Sequence, residues 1–325
     1  MRLLVTGGAG YIGSVVTTRL LDAGHEVVVL DDLSTGHRDA VPGAATLQEG
    51  DVCDPDVLSR VVSADLDAVV HLAARSLVGE SVRHPERYWS TNVCGTRALL
   101  DAVRHAGITR FVFSSSAATY GEPEQVPIEE TAPTRPSSPY GASKLAVDLM
   151  LGDEARAHGL SAVSLRYFNV AGALGDLGER HDPETHLIPN VLRVAAGQGP
   201  AVTVFGTDYP TPDGTAVRDY LHVDDLATAH LLALGATGAC GRVGPGHHRV
   251  YNLGNGTGFS VRHVVSAARE VTGHPVPVIE GPRRAGDPAV LVASSRRIHE
   301  DLGWTPTRTR LVEMVADAWR VVQNR

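Results

Sequence analysis

Cysteine is scarce: there are three in 325 residues, at 53, 94 and 240, with no Cys-x-x-Cys pair. That excludes a disulfide framework, and an odd, scattered set fits a reducing compartment. Long apolar runs are missing too. No stretch approaches the ~18 apolar residues of a membrane span. The opening Met1-Arg2-Leu3-Leu4-Val5-Thr6-Gly7 is too short for a signal-peptide core before it turns into glycine. A cytoplasmic location is the expectation. There is no run of Lys or Arg, and the formal net charge is -8. That argues against nucleic acid or a membrane surface as partner. An anionic small molecule held by a local arginine remains compatible, because close contacts outweigh a screened net charge. No internal repeat is present.

What is present is an alternation. The β-branched apolar runs Leu3-Leu4-Val5, Val27 to Leu30, Ala68 to Leu72 and Phe111-Val112-Phe113 are separated by helical segments at Ile12–Ala23, Pro55–Ala64 and Asn92–Ala106. A further strand is expected at Ala162–Tyr167, after a helix starting near Ser138. Continuous apolar strands separated by helices predict an α/β fold with a doubly wound parallel (Rossmann) sheet. After about residue 170 the texture changes to loops dense in Gly, Pro, Asp and His, at 172–189 and 206–214. Between and after them the pattern predicts a strand at Val202–Phe205, a helix at Leu221–Leu234, a strand at Val250–Gly254 that returns to the sheet, and a helix at Ser260–Thr272. The expected division is a nucleotide domain over 1–170, with returning segments at about 215–260, and a smaller, discontinuous α/β lobe over 171–325.

The first strand runs into Thr6-Gly7-Gly8-Ala9-Gly10-Tyr11-Ile12-Gly13. Glycines there permit a tight turn and close approach of backbone to a pyrophosphate, and the helix N-terminus presents free N–H groups to it. Asp31 ends the second strand, 18 residues after Gly13. An acid there suits the ribose 2′-hydroxyl of NAD and repels the extra phosphate of NADP. Asp32 competes for the role.

Ser114-Ser115-Ser116 leaves the strand at Phe111–Phe113 by its carboxyl end, where ligands bind in such sheets. Tyr140 and Lys144 follow, four residues apart and so on one helix face. A phenol needs help to act as a base at neutral pH, and a nearby ammonium favours the phenolate. Ser116 can bridge Tyr140 to a substrate hydroxyl. These are the parts needed for hydride transfer from a carbinol.

With VTGGAGYIGS (5–14), HLAARSLVGES (71–81), FSSSAATYGEP (113–123), SPYGASK (138–144), RYFNVAGA (166–173), FGTDYPTPDGTAVRDYLHVDDLA (205–227), YNLGNG (251–256) and RRAGD (283–287), the chain resembles the extended short-chain dehydrogenase/reductases from Leu3 to about Trp319. Within them it resembles the NAD-dependent epimerases of UDP-hexoses. The resemblance implies NAD as cofactor and inversion at C4 of a UDP-hexose, UDP-glucose to UDP-galactose and back. Tyr140 is then the base, Lys144 its partner and a ligand of the nicotinamide ribose, and Ser116 the hydroxyl-binding serine. Gly7, Gly10, Tyr11, Ile12 and Gly13 line the pyrophosphate and Asp31 the adenine ribose. Asp51 and Val52 flank the adenine, Leu72, Ala73, Ala74, Ser76 and Asn92 touch the middle of the cofactor, and Phe168 lies near the nicotinamide. Substrate contacts are implied for Ser116, Tyr140, Asn169, His186, Leu187, Val204, Phe205, Arg218, Arg284 and Asp287, the arginines gripping the diphosphate. A homodimer through Asn92–Ala106 and the helix of Tyr140 and Lys144 is implied as well.

Three positions depart from the common pattern. Arg75 and Ser76 stand where many members carry a lysine. His186, in Glu184-Thr185-His186-Leu187-Ile188-Pro189, stands where an asparagine is frequent. With no partner at zinc-like spacing it is read as a polar loop histidine, and no metal is assigned. Leu291, intermediate in size, falls where the room for an N-acetyl group is set, so UDP-N-acetylglucosamine stays open, as does UDP-glucuronate. A nucleotide-sugar 4,6-dehydratase would need an acid after the serine strand, but Ser116-Ala117-Ala118-Thr119-Tyr120 has none before Glu122.

Overall fold

The computed structural model describes residues 1–284 and 287–324. Seven strands form one parallel sheet in the order 248–253, 161–167, 110–116, 68–71, 2–6, 26–31 and 46–49. The chain enters at Arg2–Thr6, winds outward to Thr46–Glu49, then crosses back to Ala68–His71 on the other side of its first strand. That reversal opens a crevice at the carboxyl ends of the strands.

Helices cover both faces. Tyr11–Asp22 and Val223–Ala236 pack on one face, burying Val15, Leu20, Leu226 and Ala229 against Leu3, Val5 and Val70. Pro55–Val61, Thr96–His105 and Pro139–His158 cover the other, burying Val57, Leu99, Val103, Val147 and Leu151 against Leu4, Val69 and Phe111. The helix ends are written locally. Asp54 accepts from the Asp56 amide at 2.8 Å with Pro55 at the first helical position, and Ser138 accepts from the Gly141 amide at 3.2 Å ahead of Pro139. Both are standard capping arrangements.

The remainder forms a smaller lobe centred on strand Val217–His222. It pairs in parallel with Asn169–Ala171 and with Val290–Leu291, and antiparallel with Gly258–Ser260. A second pair joins Val202–Phe205 to Val278–Gly281. Helices Leu187–Ala195, Val261–Thr272 and Leu311–Gln323 close over a core that includes Val191, Val264 and Met314.

Three expectations are corrected. Leu221 and His222 end a strand, and the helix starts at Val223, where the His222 imidazole accepts from the Asp224 amide at 3.0 Å. The segment expected to open a helix at Asn92 lies in a π-helical turn, Trp89–Gly95, and the α-helix begins at Thr96. The helix at 55 stops at Val61 rather than Ala64. No helix among the described residues is long and apolar enough to cross a membrane.

Candidate active site

The glycine loop is tight enough to require its residues. Gly7 has φ +73°, and a Cβ there would sit 2.6 Å from the Ala73 amide nitrogen. At Gly13 a Cβ would fall 2.0 Å from the Gly7 carbonyl oxygen. Gly10 caps helix Tyr11–Asp22 without a side chain, so the first-turn N–H groups at Tyr11 and Ile12 face the crevice without an intrahelical partner. The Tyr11 hydroxyl donates to the Gly172 carbonyl at 2.7 Å, tying the loop to the lobe. Asp31, 7% exposed, accepts from the amides of Ala9 and Leu33, both at 2.9 Å. Burial raises its pKa, against the pull of those two hydrogen bonds. Each oxygen keeps acceptor capacity for a hydroxyl. The competing Asp32 is exposed and occupied by the amide and hydroxyl of Ser34. A cradle that a methyl group would fill, a helix N-terminus without a side-chain cap and a buried acid at the second strand end fit a dinucleotide.

The other implied cofactor residues gather round the crevice. Asp51 is exposed and accepts from the Cys53 amide at 2.8 Å, while Val52 is buried beside it. Leu72, Ala73 and Ala74 are half-buried and Ser76 is exposed. Asn92 is used up internally. Its amide donates to the Arg75 carbonyl and to Ser143 Oγ, both at 3.0 Å, and accepts from the Arg75 amide at 2.8 Å. It therefore holds the 72–76 segment in place, and the π-helical turn is what aims it inward. Phe168 is buried with Ala117 and Tyr120, and Leu291 packs on that cluster.

At the carboxyl end of the strand at 110–116, Lys144 is 2% exposed and donates to the Ser114 carbonyl at 2.7 Å. Its Nζ stands 6.0 Å from the Tyr140 ring centroid. It is the only lysine in the chain; every other side-chain cation of the Lys/Arg kind is arginine. Burial pushes its pKa down to about 7, with Asp148 opposing. Burial raises the Tyr140 phenol, and the hydrogen bond from Ser116 offsets part of that. The three residues are thus assembled as expected, but the chain's own groups leave the phenol protonated. Ser143 Oγ, which accepts from Asn92, donates to the Tyr140 carbonyl at 2.8 Å.

A network that sequence reasoning missed backs this up. Thr6 Oγ1 lies 2.6 Å from His71 Nδ1, His71 Nε2 lies 2.8 Å from Thr96 Oγ1, and Thr96 donates to the Asn92 carbonyl at 2.6 Å. Since Thr96 donates onward, His71 carries its proton on Nε2. Burial drops its pKa to about 3, so it is neutral.

On the lobe side, Arg218 forms an ion pair with Asp287 and also donates to the Val217 carbonyl at 2.7 Å. The Arg284 guanidinium lies 3.9 Å over the Phe205 ring centroid. Val204 is buried beneath. Asn169 is exposed at the start of its strand, and Leu187 begins the helix at 187–195. Arg218 stands in register with Leu291. His186 is not solitary: Glu179, His181 and Glu184 lie around it.

Residues 3–254 match the NAD dependent epimerase/dehydratase family. A UDP-glucose 4-epimerase of Streptomyces lividans is 60% identical over 321 residues, covering 98% of this chain and 95% of the relative. Among solved structures, a UDP-glucose 4-epimerase from Brucella ovis in complex with NAD superposes with a TM-score of 0.94 at 45% identity, covering 98% of this chain and 97% of that one. One from Bifidobacterium longum, in complex with NAD+ and UDP, gives a TM-score of 0.93 at 35% identity, covering 100% and 98%. By fold, by the assembled Ser116–Tyr140–Lys144 centre and by these likenesses, the chain belongs to the UDP-glucose 4-epimerase family of NAD-dependent enzymes.

Proposed function

We propose that the enzyme interconverts UDP-glucose and UDP-galactose by transient oxidation at C4, with NAD kept bound through the cycle. The observation that carries this reading is the placement of Tyr140 and Ser116 at the strand ends, opposite a lobe that offers Arg218, Asp287 and Arg284 to a diphosphate and Phe205 to a base. Arginine suits that task because its planar fork donates two hydrogen bonds at once.

Bound NAD supplies the positive nicotinamide and the reversible hydride acceptor at C4. Tyr140 takes the proton of the C4 hydroxyl and returns it to the product. Ser116, in hydrogen-bond reach of Tyr140, orients that hydroxyl. Lys144, clamped by the Ser114 carbonyl, adds the charge that favours the phenolate. Inversion requires the 4-keto sugar to present its other face. The uridine diphosphate must therefore be gripped while the hexose is held loosely, which matches charged contacts on the lobe and an apolar cluster of Ala117, Phe168 and Leu291 beside Ser116. The short turn Ala117–Thr119 carries no acid, which disfavours a dehydratase.

The remaining roles implied for Asp51, Val52, Ser76, Asn169, Leu187 and Val204 belong to the same reading. So does a homodimer through Asn92–Ala106 and the helix at 139–158, supported by apolar side chains exposed around those segments: Val82 at 64%, Leu149 at 63% and Trp89 at 43%. A monomer by light scattering would overturn the dimer.

The test is to incubate purified protein with UDP-galactose and no added NAD, and to follow UDP-glucose by chromatography. Conversion supports the reading. No conversion, even with NAD supplied, overturns it.

A further inference from the structure

Beside the glycine loop, and including the His186 for which a substrate contact is implied, one loop gathers four side chains of metal-binding type. Glu179, His181, Glu184 and His186 each offer one ligand atom, and these atoms all lie within 4.8 Å of one another. They are spaced Glu-x-His-x-x-Glu-x-His. His186 Nδ1 is 2.7 Å from a Glu184 oxygen and 3.8 Å from a Glu179 oxygen, and His181 Nδ1 contacts the other Glu179 oxygen. The two imidazole rings stand 5.4 Å apart, centroid to centroid. Around a tetrahedral ion with bonds of about 2.0–2.2 Å, ligand atoms sit roughly 3.3 Å from one another. The 4.8 Å spread of this set exceeds that spacing by about 1.5 Å.

The support around the four is also that of a binding site. Glu184 accepts from the backbone amides of Thr185 and His186, both at 2.7 Å, which fixes its carboxylate. His186 precedes helix Leu187–Ala195 but caps none of its amides, so its ring is directed to the cluster. His–Glu ion pairs account for the contacts two at a time. They do not require a convergence of all four groups.

We propose that the 179–186 loop binds one divalent transition-metal ion of the zinc class, through the carboxylates of Glu179 and Glu184 and the imidazoles of His181 and His186. Two carboxylates with two neutral imidazoles carry a charge of −2, which a divalent ion cancels. Imidazole nitrogen selects against calcium and magnesium, which prefer all-oxygen shells. Four protein ligands make a closed, structural site rather than a catalytic one.

Its position says what the ion would do. Within the same loop, Arg180 donates twice to Asp39, at 2.8 and 2.9 Å, and its carbonyl lies 3.3 Å from His37 Nε2. Leu187, at the other end, opens the first helix of the lobe. The ion fixes the strap between the nucleotide side and the sugar lobe. It also takes the His186 ring away from the direct substrate contact that family resemblance suggests.

The experiment uses tag-free, NAD-loaded protein dialysed against a chelator and then titrated with zinc against a chromophoric competitor. Wild type is expected to take up one ion per chain and to melt at a higher temperature with it. His181→Asn and Glu184→Gln are each expected to weaken binding by more than about a hundredfold, beyond the 10–100-fold typical of losing a supporting contact. Retained NAD absorbance reports that the variants are folded. Should either fold poorly, cobalt substitution of wild type decides: an intense visible band saturating at one equivalent supports a tetrahedral site, and a pale octahedral spectrum overturns it. Absence of zinc uptake by wild type, or uptake unchanged in both folded variants, overturns the proposal whether or not the chain epimerises UDP-galactose.

Discussion

The Arg218 guanidinium, on strand Val217–His222, is paired with the Asp287 carboxylate, which lies just before strand Val290–Leu291. The arginine is largely shielded from water and the carboxylate partly so. On the proposed reading, a diphosphate entering the lobe meets an arginine already oriented by an acid. Arg218→Ala removes charge-assisted hydrogen bonds worth about 1.5–3 kcal/mol. The expected result is a rise in KM for UDP-galactose of roughly 10- to 150-fold, with a smaller change in kcat. Arg218→Lys should fall between, since the charge remains but the fork is lost. An unchanged KM in the alanine variant would place the diphosphate elsewhere.

On the proposed mechanism, Tyr140→Phe removes the proton acceptor while leaving the ring packed edge-on against Tyr88, 6.3 Å away. Turnover should fall by about 10²- to 10⁴-fold. Bound NAD, read from the absorbance of the purified protein, should be unchanged. Loss of both together would mean that the variant damages the fold.

Because Lys144 is the chain's only lysine, protein labelled with ¹³C on the lysine side chain gives one lysine signal to follow. In NAD-free protein it should titrate near 7, because burial penalises the ammonium. A midpoint near 10 would show that water reaches the amine.

Stability should decline on acidification, with His230 a named contributor. Its Nδ1 lies 2.9 Å from the Leu226 carbonyl, and its Nε2 is buried without a partner. Burial lowers its pKa to about 4 from an ordinary 6.5. Above pH 6.5 both folded and unfolded chains leave the ring neutral. Between 6.5 and 4 only the unfolded chain takes the proton, so stability is lost as the pH falls through that window. At pH 5 the expected loss is about 1–2 kcal/mol. His230→Leu should flatten that part of a denaturation series run from pH 7.5 to 5. His71, at about 3, acts in the same direction. Asp219, raised by burial to about 6, acts in the opposite one, so the comparison with the variant carries the test.

Leu291 packs on the cluster of Ala117, Tyr120 and Phe168, and Ala117 follows Ser116, the serine to which the proposed mechanism gives the substrate hydroxyl. Leu291→Ala should increase the preference for UDP-N-acetylglucosamine over UDP-glucose about tenfold in kcat/KM, the scale of a few methylenes in a pocket. Leu291→Phe should move it the other way. No change in either would put the N-acetyl group outside this pocket.

The catalytic strand and helix were legible because each signal is local. Phe111–Phe113 runs apolar into three serines, and Ser138-Pro139 announces a helix start two residues before Tyr140. Thr46–Glu49 was not legible: its side chains are mostly exposed at the sheet edge, and Thr-Leu-Gln-Glu has no apolar run. Leu221-His222 misled because an apolar helix follows without a break, and only the backbone pairing of Val217–His222 with Asn169–Ala171 reveals the strand. The hydrogen bonds of Asn92 to Arg75 and Ser143, which hold the 72–76 segment, depend on a π-helical turn that no residue pattern announced. The Glu179–His186 cluster was overlooked because its ligands mix carboxylates with imidazoles at spacings unlike the common zinc motifs. The solitary lysine could have been counted in advance. Arginine, which stays charged in proteins, cannot supply a group whose pKa falls to about 7.

The strand that completes the parallel sheet is 248–253, and it lies against 161–167, whose seven residues are all buried. On the ribosome this has a cost in time. The first six strands emerge well before their last neighbour, and until residue 253 has left the exit tunnel the strand at 161–167 is an edge with unpaired amides and carbonyls. Such edges template aggregation, and chains normally fold unit by unit from the N-terminus. Here the N-terminal unit cannot finish first. The nascent polypeptide must hold an open sheet through the synthesis of much of its second half, which makes this interval the natural point for a chaperone to act.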